Sequence, residues 1–475
     1  MRVSQIYNLP EQQSALDFVD VDVSTDIRVY VDPRAIRIQQ GEWHDSCIDV
    51  LKSFFHEVLV SIYDNDRNKA WRLLGRLTEP NETHLGVSRG SSRGRGLGGI
   101  GAGRMIDSIQ ESRAAKTGLL EDLEDTALFI DGIGPDIVSD ITTNVIRGAL
   151  IGYTQHVCSD YDIPLEPDQY AGWVWDENGL QWTEIYAALP VVDDQILLLV
   201  PRSTVRVSLI CDSTRYYRRA IAPLHEQKEI EAGSSLVYAL KSGVRKVNTN
   251  SLIKKYGNSK SAVTKHTEQF PQALRTFKAT PGLAETPPLS HEQLAERTQS
   301  NDVDFTALLE TVKAVSPGSA GATLYHRAVK DYLAAIFWPF LGNVIIEKEV
   351  HDGRKRIDIN FDNLAQDGFF RWIGMHHPAS QVVVECKNYT KEVANPELDQ
   401  IAGRFSPDRT HFGIIVCRKI ENKELFARRC RDTAKDRRGF ILHLDDDDLD
   451  KLRFQYTGND GAYPLLRDQF DYLVN

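Results

Sequence analysis

Cysteine is scarce. The 475-residue chain has six, namely Cys47, Cys158, Cys211, Cys386, Cys417 and Cys430, and no two of them form a CxxC pair. That spacing argues against a disulfide framework or a cysteine-built zinc site and predicts reduced thiols in the cytoplasm. No run of about 18 apolar residues is present, so no membrane-spanning helix is expected. The opening Met1-Arg2-Val3-Ser4-Gln5 lacks the apolar core of a signal peptide, so secretion is not expected either. Internal repeats are absent. Basic charge is not in excess: 56 Lys and Arg stand against 67 Asp and Glu, a net charge of −11. This argues against a generic nucleic-acid coat protein but not against an enzyme whose contacts are local. What remains is ordinary globular composition, 41% hydrophobic and 26% charged, over a length that predicts two or three domains.

The clearest linker is 279–301, where Pro281, Pro287 and Pro288 lie among Thr, Glu and Ser. It divides an N-terminal region, 1–278, in one or two subdomains, from a C-terminal domain, 302–475. In the N-terminal region Trp173-Val174-Trp175 and Trp182 to Tyr186 flank Asp176-Glu177-Asn178-Gly179, which predicts a β-hairpin. The three tryptophans suit a sheet face better than a base-stacking platform. Ile196 to Val200 predicts a strand, and Lys241 to Lys278 two or three helices. The C-terminal domain reads as α/β. Leu324, Ala328, Val329, Leu333, Ile336 and Phe337 share a helical face. Strands are expected at Arg356–Phe361, Gln381–Lys387, Phe412–Val416 and Ile441–Leu444. Helices are expected from Asn395-Pro396 and over Lys423–Lys435. The segment holding Gly368 to Trp372 and His376-His377 predicts a loop. Asp445 to Asp448 predicts a helix start, because no glycine follows where a calcium loop requires one.

The strongest chemical signal lies in two of those strands. Alternation puts Asp358 and Asn360 on the face opposite Ile357, Ile359 and Phe361. Val382-Val383-Val384-Glu385-Cys386-Lys387 is an apolar strand whose end turns charged, with Glu385 and Lys387 on one face. Unpaired charge in a buried strand costs several kcal/mol, so this pair needs a reason. If the strands are neighbours, Asp358 and Glu385 converge as hard oxygen ligands for Mg²⁺ or Mn²⁺. The backbone carbonyl of Cys386 is a third candidate ligand, and Lys387 is placed to orient or activate water. A plain salt bridge would also account for so short a pattern.

Asp358 followed by Glu385-Cys386-Lys387 resembles the PD-(D/E)xK restriction-endonuclease-like superfamily, most closely its Mrr-type branch. The similar stretch runs roughly from Gly318 to Leu452, through Asn395 to Gln400, Gly413 to Val416 and Phe440 to Leu449. The resemblance implies an α/β fold with a mixed central sheet flanked by helices, beside a larger N-terminal α+β recognition or sensor region. It implies a Mg²⁺-dependent endonuclease, with Mn²⁺ also possible as the ion, acting on DNA phosphodiesters as a homodimer in restriction or antiphage defence. Asp358, Glu385, Lys387 and Gln400 would be catalytic, with Asp358, Glu385 and the Cys386 carbonyl on the metal. One departure stands out. Relatives often carry Glu after an aromatic residue on the first helix, whereas here His326 follows Tyr325, leaving Asp331 or Glu347 to substitute. An RNase or structure-specific resolvase would use the same site. A catalytically inactive nucleic-acid sensor, or a protein-interaction subunit, would use the same fold without the chemistry.

Two basic segments qualify the net charge. Ser88 to Arg104 holds Arg89, Arg93, Arg95 and Arg104 with no acid, and suits phosphate contact or a plain surface loop. Its Gly94-x-Gly96-x-x-Gly99 has neither a preceding strand nor the acidic residue of a dinucleotide site. Lys241 to Thr280 has nine basic side chains against Glu268 alone, a net +8. Lys246, Lys254, Lys255, Lys260 and Lys265 are its candidate nucleic-acid contacts, on a faint helix-turn-helix pattern with Gly257 in the turn. The rest of the chain then carries −23.

Overall fold

The computed structural model describes residues 1–9, 13–39, 41–86, 99–279, 287–350, 355–389, 391–407, 409–456 and 461–475. Its apolar side chains sort into two large cores. One draws on Val3 through Leu294 and takes in Trp338 and Leu364; the other runs from Leu308 to Leu473. The division falls at the segment read as a linker, but part of that segment is built into the fold. Ser290 caps a helix at His291–Thr298, Leu289 and Leu294 are buried, and His291 Nε2 lies 2.9 Å from the Ala335 carbonyl. A buried Leu every few residues outweighs the local proline content.

The N-terminal region is helical around the helix Glu42–Tyr63, which buries Cys47, Leu51, Phe54, Phe55, Val58 and Ile62 on one stripe. The expected hairpin is present, with Glu166–Asp176 antiparallel to Gln181–Leu189 and Trp175 opposite Trp182. Trp175 packs edge-on against Phe54 at 5.2 Å and donates to Ser53 Oγ at 2.7 Å, so this ring belongs to the core. The strand expected at Ile196–Val200 is only Gln195–Ile196. Leu197 to Val200 are buried, yet their N–H groups go to scattered acceptors, Leu197 to the Pro190 carbonyl, Leu198 to the Glu82 carbonyl and Leu199 to Thr154 Oγ1. Burial alone does not make a strand where no single partner strand runs alongside.

The C-terminal region is mixed α/β. Five strands, β1 (Leu341–Val350), β2 (Lys355–Asn363), β3 (Gln381–Lys387), β4 (Phe412–Cys417) and β5 (Phe440–Leu444), form one sheet in sequential order. Strands β1–β2 and β2–β3 pair antiparallel; β3–β4 and β4–β5 pair parallel. The central β3 and β4 are buried almost throughout, as their unbroken Val and Ile runs predict. Helix α1 (Ala322–Ile336) precedes the sheet, α2 (Gly368–His376) joins β2 to β3, α3 (Asn395–Ala402) joins β3 to β4, and α4 (Lys423–Lys435) joins β4 to β5. Gly413 lets α3 close on the sheet: a Cβ there would stand 2.8 Å from Ile401 Cδ1 and 2.9 Å from the Val383 carbonyl.

Three sequence expectations change here. The segment with His376 is helix α2, not a loop, because Phe369, Phe370 and Ile373 anchor it in the core. Leu324 is exposed, while the rest of its expected face on α1 is buried. Strand β1 has no counterpart among the expected elements. Asp445 does cap a helix, Asp446–Gln455, accepting from the Asp448 N–H at 3.0 Å. Among the described residues no helix is long and apolar enough to cross a membrane.

Candidate active site

Strands β2 and β3 are neighbours, with Ile359 opposite Val384. One step further along the same register sets Asp358 opposite Glu385. Directly opposed residues of an antiparallel pair project to one face, so the two carboxylates meet. Asp358 Oδ2 accepts from the Cys386 N–H at 2.8 Å. In an extended strand a residue's N–H and C=O point to the same edge, so the Cys386 carbonyl also turns toward β2.

Glu385 is fully buried. Its Oε1 accepts from Lys387 Nζ at 2.7 Å and from Gln400 Nε2. Lys387 Nζ in turn donates to Gln400 Oε1 at 2.9 Å. Gln400 reaches the strand because α3 lies over it. The remaining oxygen, Glu385 Oε2, is buried without a hydrogen-bond partner. Burial raises the Glu385 pKa, the neighbouring Asp358 raises it further, and Lys387 and Arg404 oppose the shift. Asp358, Glu385, Lys387 and Gln400 are therefore brought together.

Helix α1 contributes a residue absent from the expected site. His326 Nε2 lies 3.8 Å from Asp358 Oδ2, and its Nδ1 is buried without a partner. The two expected substitutes for the first-helix Glu point elsewhere: Asp331 pairs with Lys330, and Glu347 with Arg356 at 3.3 Å. The position after Tyr325 does face the site, but the residue there is an imidazole. Asn360 also lies on this face of β2, fully buried, with both side-chain polar atoms unpartnered.

Among the described residues no group of three or more His, Cys, Asp or Glu is arranged to hold an ion. The opposed carboxylates, the unpartnered Glu385 Oε2 and the Cys386 carbonyl nevertheless form a hard-oxygen set suited to Mg²⁺ or Mn²⁺. Their mutual repulsion is what a cation would relieve.

The basic segment folds as a hairpin, Val237–Ala239 with Arg245–Val247, then helices Thr249–Tyr256, Lys260–Gln269 and Pro271–Ala279. Gly257 sits in the turn at φ +78°, a conformation that favours glycine. Lys254 and Lys265 are exposed. Lys246 is exposed and 4.0 Å from Glu226, and Lys255 pairs with Glu229 at 2.6 Å. Lys260 is placed differently: it donates to the Ile130 and Ile133 carbonyls at 2.9 and 2.6 Å, and burial lowers its pKa. It fastens a turn of the protein itself. Arg89, Arg93 and Arg95 lie outside the described residues.

Residues 8–212 match the family model described as a domain of unknown function (DUF8370). No curated protein and no solved structure matches the chain.

Proposed function

We propose that the C-terminal region is a metal-dependent endonuclease of the PD-(D/E)xK type that hydrolyses DNA phosphodiester bonds. One observation carries this reading: Asp358, one step beyond the last paired residues of adjacent strands, accepts from the Cys386 N–H beside Glu385, with Lys387 and Gln400 bonded to the same glutamate oxygen and to each other. A structural ion pair needs only Lys387 and Glu385. The opposed Asp358 and the open Glu385 oxygen are surplus to it.

Asp358, Glu385 and the Cys386 carbonyl would hold Mg²⁺ or Mn²⁺. Such an ion polarises a phosphoryl oxygen and lowers the pKa of bound water. The other tasks belong to the chain. Lys387 uses two of its three N–H donors on Glu385 and Gln400 and keeps a third for a water or a phosphate oxygen. Gln400 fixes both partners, so it is a positioning residue. Arg404, close enough to favour ionised Glu385, adds positive charge beside a bound phosphodiester. Lys254 and Lys265 offer exposed charge for the backbone of a duplex. One such site cuts one strand, so cleavage of both strands calls for a homodimer.

The test is a cleavage assay on duplex DNA, single-stranded DNA and RNA with Mg²⁺, Mn²⁺ or EDTA. Duplex DNA should be cut with metal and not with EDTA. Asp358→Ala and Lys387→Ala should each lower the rate by at least about 100-fold, and Gln400→Ala by roughly tenfold. Full activity in the first two variants would move the chemistry elsewhere. His326 in place of a first-helix carboxylate favours a second reading, an inactive nucleic-acid sensor. Metal-independent DNA binding with no cleavage under any condition would select it.

A further inference from the structure

Two cavities open where the N-terminal region meets the C-terminal sheet. The first, about 690 Å³, is walled by Trp43 and Tyr153 from N-terminal helices, Arg327 and Lys330 from α1, Lys348 from β1 and Asp362 from β2. The second, about 580 Å³, is lined by Arg34, Arg37, Lys278, Arg371 and Arg409 and, among the described residues, by no carboxylate. Ser380 and Arg409 line both.

The five cations of the second cavity are not alike. Arg37 is neutralised by Asp122 at 2.8 Å and Glu124 at 3.0 Å, and Lys278 by Asp122 and Asp125. Arg34 donates to the Lys278 carbonyl and keeps a buried Nε without a partner. Arg371 and Arg409 make no ion pair among the described residues. Guanidinium groups gathered on one cavity whose described lining holds no carboxylate attract an anion, and their paired N–H donors match phosphate.

The first cavity has a different chemistry. Trp43 Nε1 is tied to the Ala149 carbonyl at 3.0 Å, which fixes a half-buried ring on the wall. Asp17, His44 and Tyr153 are among its lining residues, with Asp17 Oδ1, His44 Nδ1 and the Tyr153 hydroxyl buried behind that lining without partners. An anchored aromatic ring among polar lining residues suits a planar heterocycle. Each volume falls in the range of about 300–1,000 Å³ usual for small-molecule sites.

We propose that this junction binds a nucleotide, its phosphates among Arg34, Arg371 and Arg409 and its base beside Trp43 and Tyr153. The inference stands on the cavities and does not depend on the nuclease reading. It has a consequence for that reading, because the same elements serve both places. Helix α1 carries His326 to Asp358 and Arg327 and Lys330 to the cavity; β2 runs from Asp358 to Asp362, and β3 from Gln381 to Glu385.

Isothermal titration calorimetry on the full chain tests it, with ATP, GTP, CTP, UTP, adenosine, pyrophosphate and inorganic phosphate as probes. At least one nucleotide should bind one per chain with a dissociation constant of about 100 µM or tighter. Arg409→Ala and Arg371→Ala should each weaken it at least about tenfold, and Lys387→Ala should leave it unchanged. Should an alanine variant not fold, Arg409→Lys keeps the charge, loses the planar fork and should still weaken binding. Absence of nucleotide binding at about 1 mM, or unchanged affinity in the folded arginine variants, overturns the proposal. So does pyrophosphate binding as tightly as the nucleotides, since the ring would then contribute nothing.

Discussion

Several single side chains at the junction and in the sheet are titratable groups buried by the fold, and Asp362 is the clearest case. Burial pushes its pKa up to about 7, with hydrogen bonds from Asn343 and Gln381 only partly opposing. Its folded value therefore lies above its unfolded one. The folded state keeps a proton that the unfolded chain has released, so stability declines as pH rises from about 4 toward about 7 and then levels. A displacement from 3.8 to about 7 corresponds to roughly 4 kcal/mol as an upper figure. Asp362→Asn keeps the shape and one acceptor oxygen for Asn343 or Gln381, and cannot ionise. It should match the parent in urea denaturation near pH 4 and exceed it by about 1–4 kcal/mol at pH 8. Equal stability at both pH values would mean that Asp362 is ionised at no cost, against the environment described.

At the scale of elements, the basic segment separates lysines that hold the fold from lysines that face solvent. Lys260 bonds two turn carbonyls and Lys255, itself exposed, pairs with Glu229, whereas Lys254 and Lys265 are exposed on successive helices. Lys254→Glu with Lys265→Glu should weaken duplex binding and reduce the salt dependence by about two phosphate contacts, without lowering Tm. Lys260→Ala should lower Tm and leave the salt slope of the remaining folded protein unchanged. A pair reversal that leaves the slope intact would remove the helices from the nucleic-acid interface. Charge counting alone could not make this division, since a lysine satisfied by carbonyls reads in sequence like any other.

The same limit explains what was legible elsewhere. Strands β3 and β4 announce themselves by short Val and Ile runs, β2 by its alternation, β5 by a short apolar stretch, and Lys423–Lys435 by its period. The carboxylate pair and Lys387 were legible because charge interrupts an apolar strand. Edge strand β1 was not: Asn343 and Glu347 take left-handed φ values within it, and its polar residues break the alternation. Position 326 was marked only by the resemblance, as the place of a missing carboxylate; that its imidazole lies near Asp358 depends on how α1 crosses the sheet.

For the whole molecule, the question is whether the two cores behave as one. Their seam is polar and buried. Arg202 from the N-terminal region donates to the Ser14 carbonyl at 2.8 Å and to the Ala334 carbonyl of α1 at 3.3 Å. Its guanidinium lies 3.9 Å over the Trp338 ring, and its charge favours ionised Asp17, whose carboxylate accepts from the Val344 N–H. Ser203 Oγ donates to Asn343 Oδ1 at 2.7 Å, and Lys330 Nζ to the Tyr161 hydroxyl at 3.1 Å. Trp338 itself belongs to the N-terminal core and donates to the Leu289 carbonyl at 2.8 Å. A seam of this kind couples unfolding, because separating the parts breaks several buried hydrogen bonds and a cation–π contact at once. Scanning calorimetry should therefore give one endotherm for the parent chain. Arg202→Ala removes three carbonyl partners (Gln13, Ser14 and Ala334), a cation–π contact and the charge opposite Asp17, and should cost about 3–5 kcal/mol. Its endotherm should broaden or split as the N-terminal part melts first, while Arg202→Lys should retain more of the single transition. Two resolved transitions in the parent would show instead that the cores unfold independently and that the seam, with the cavities beside it, opens at little cost.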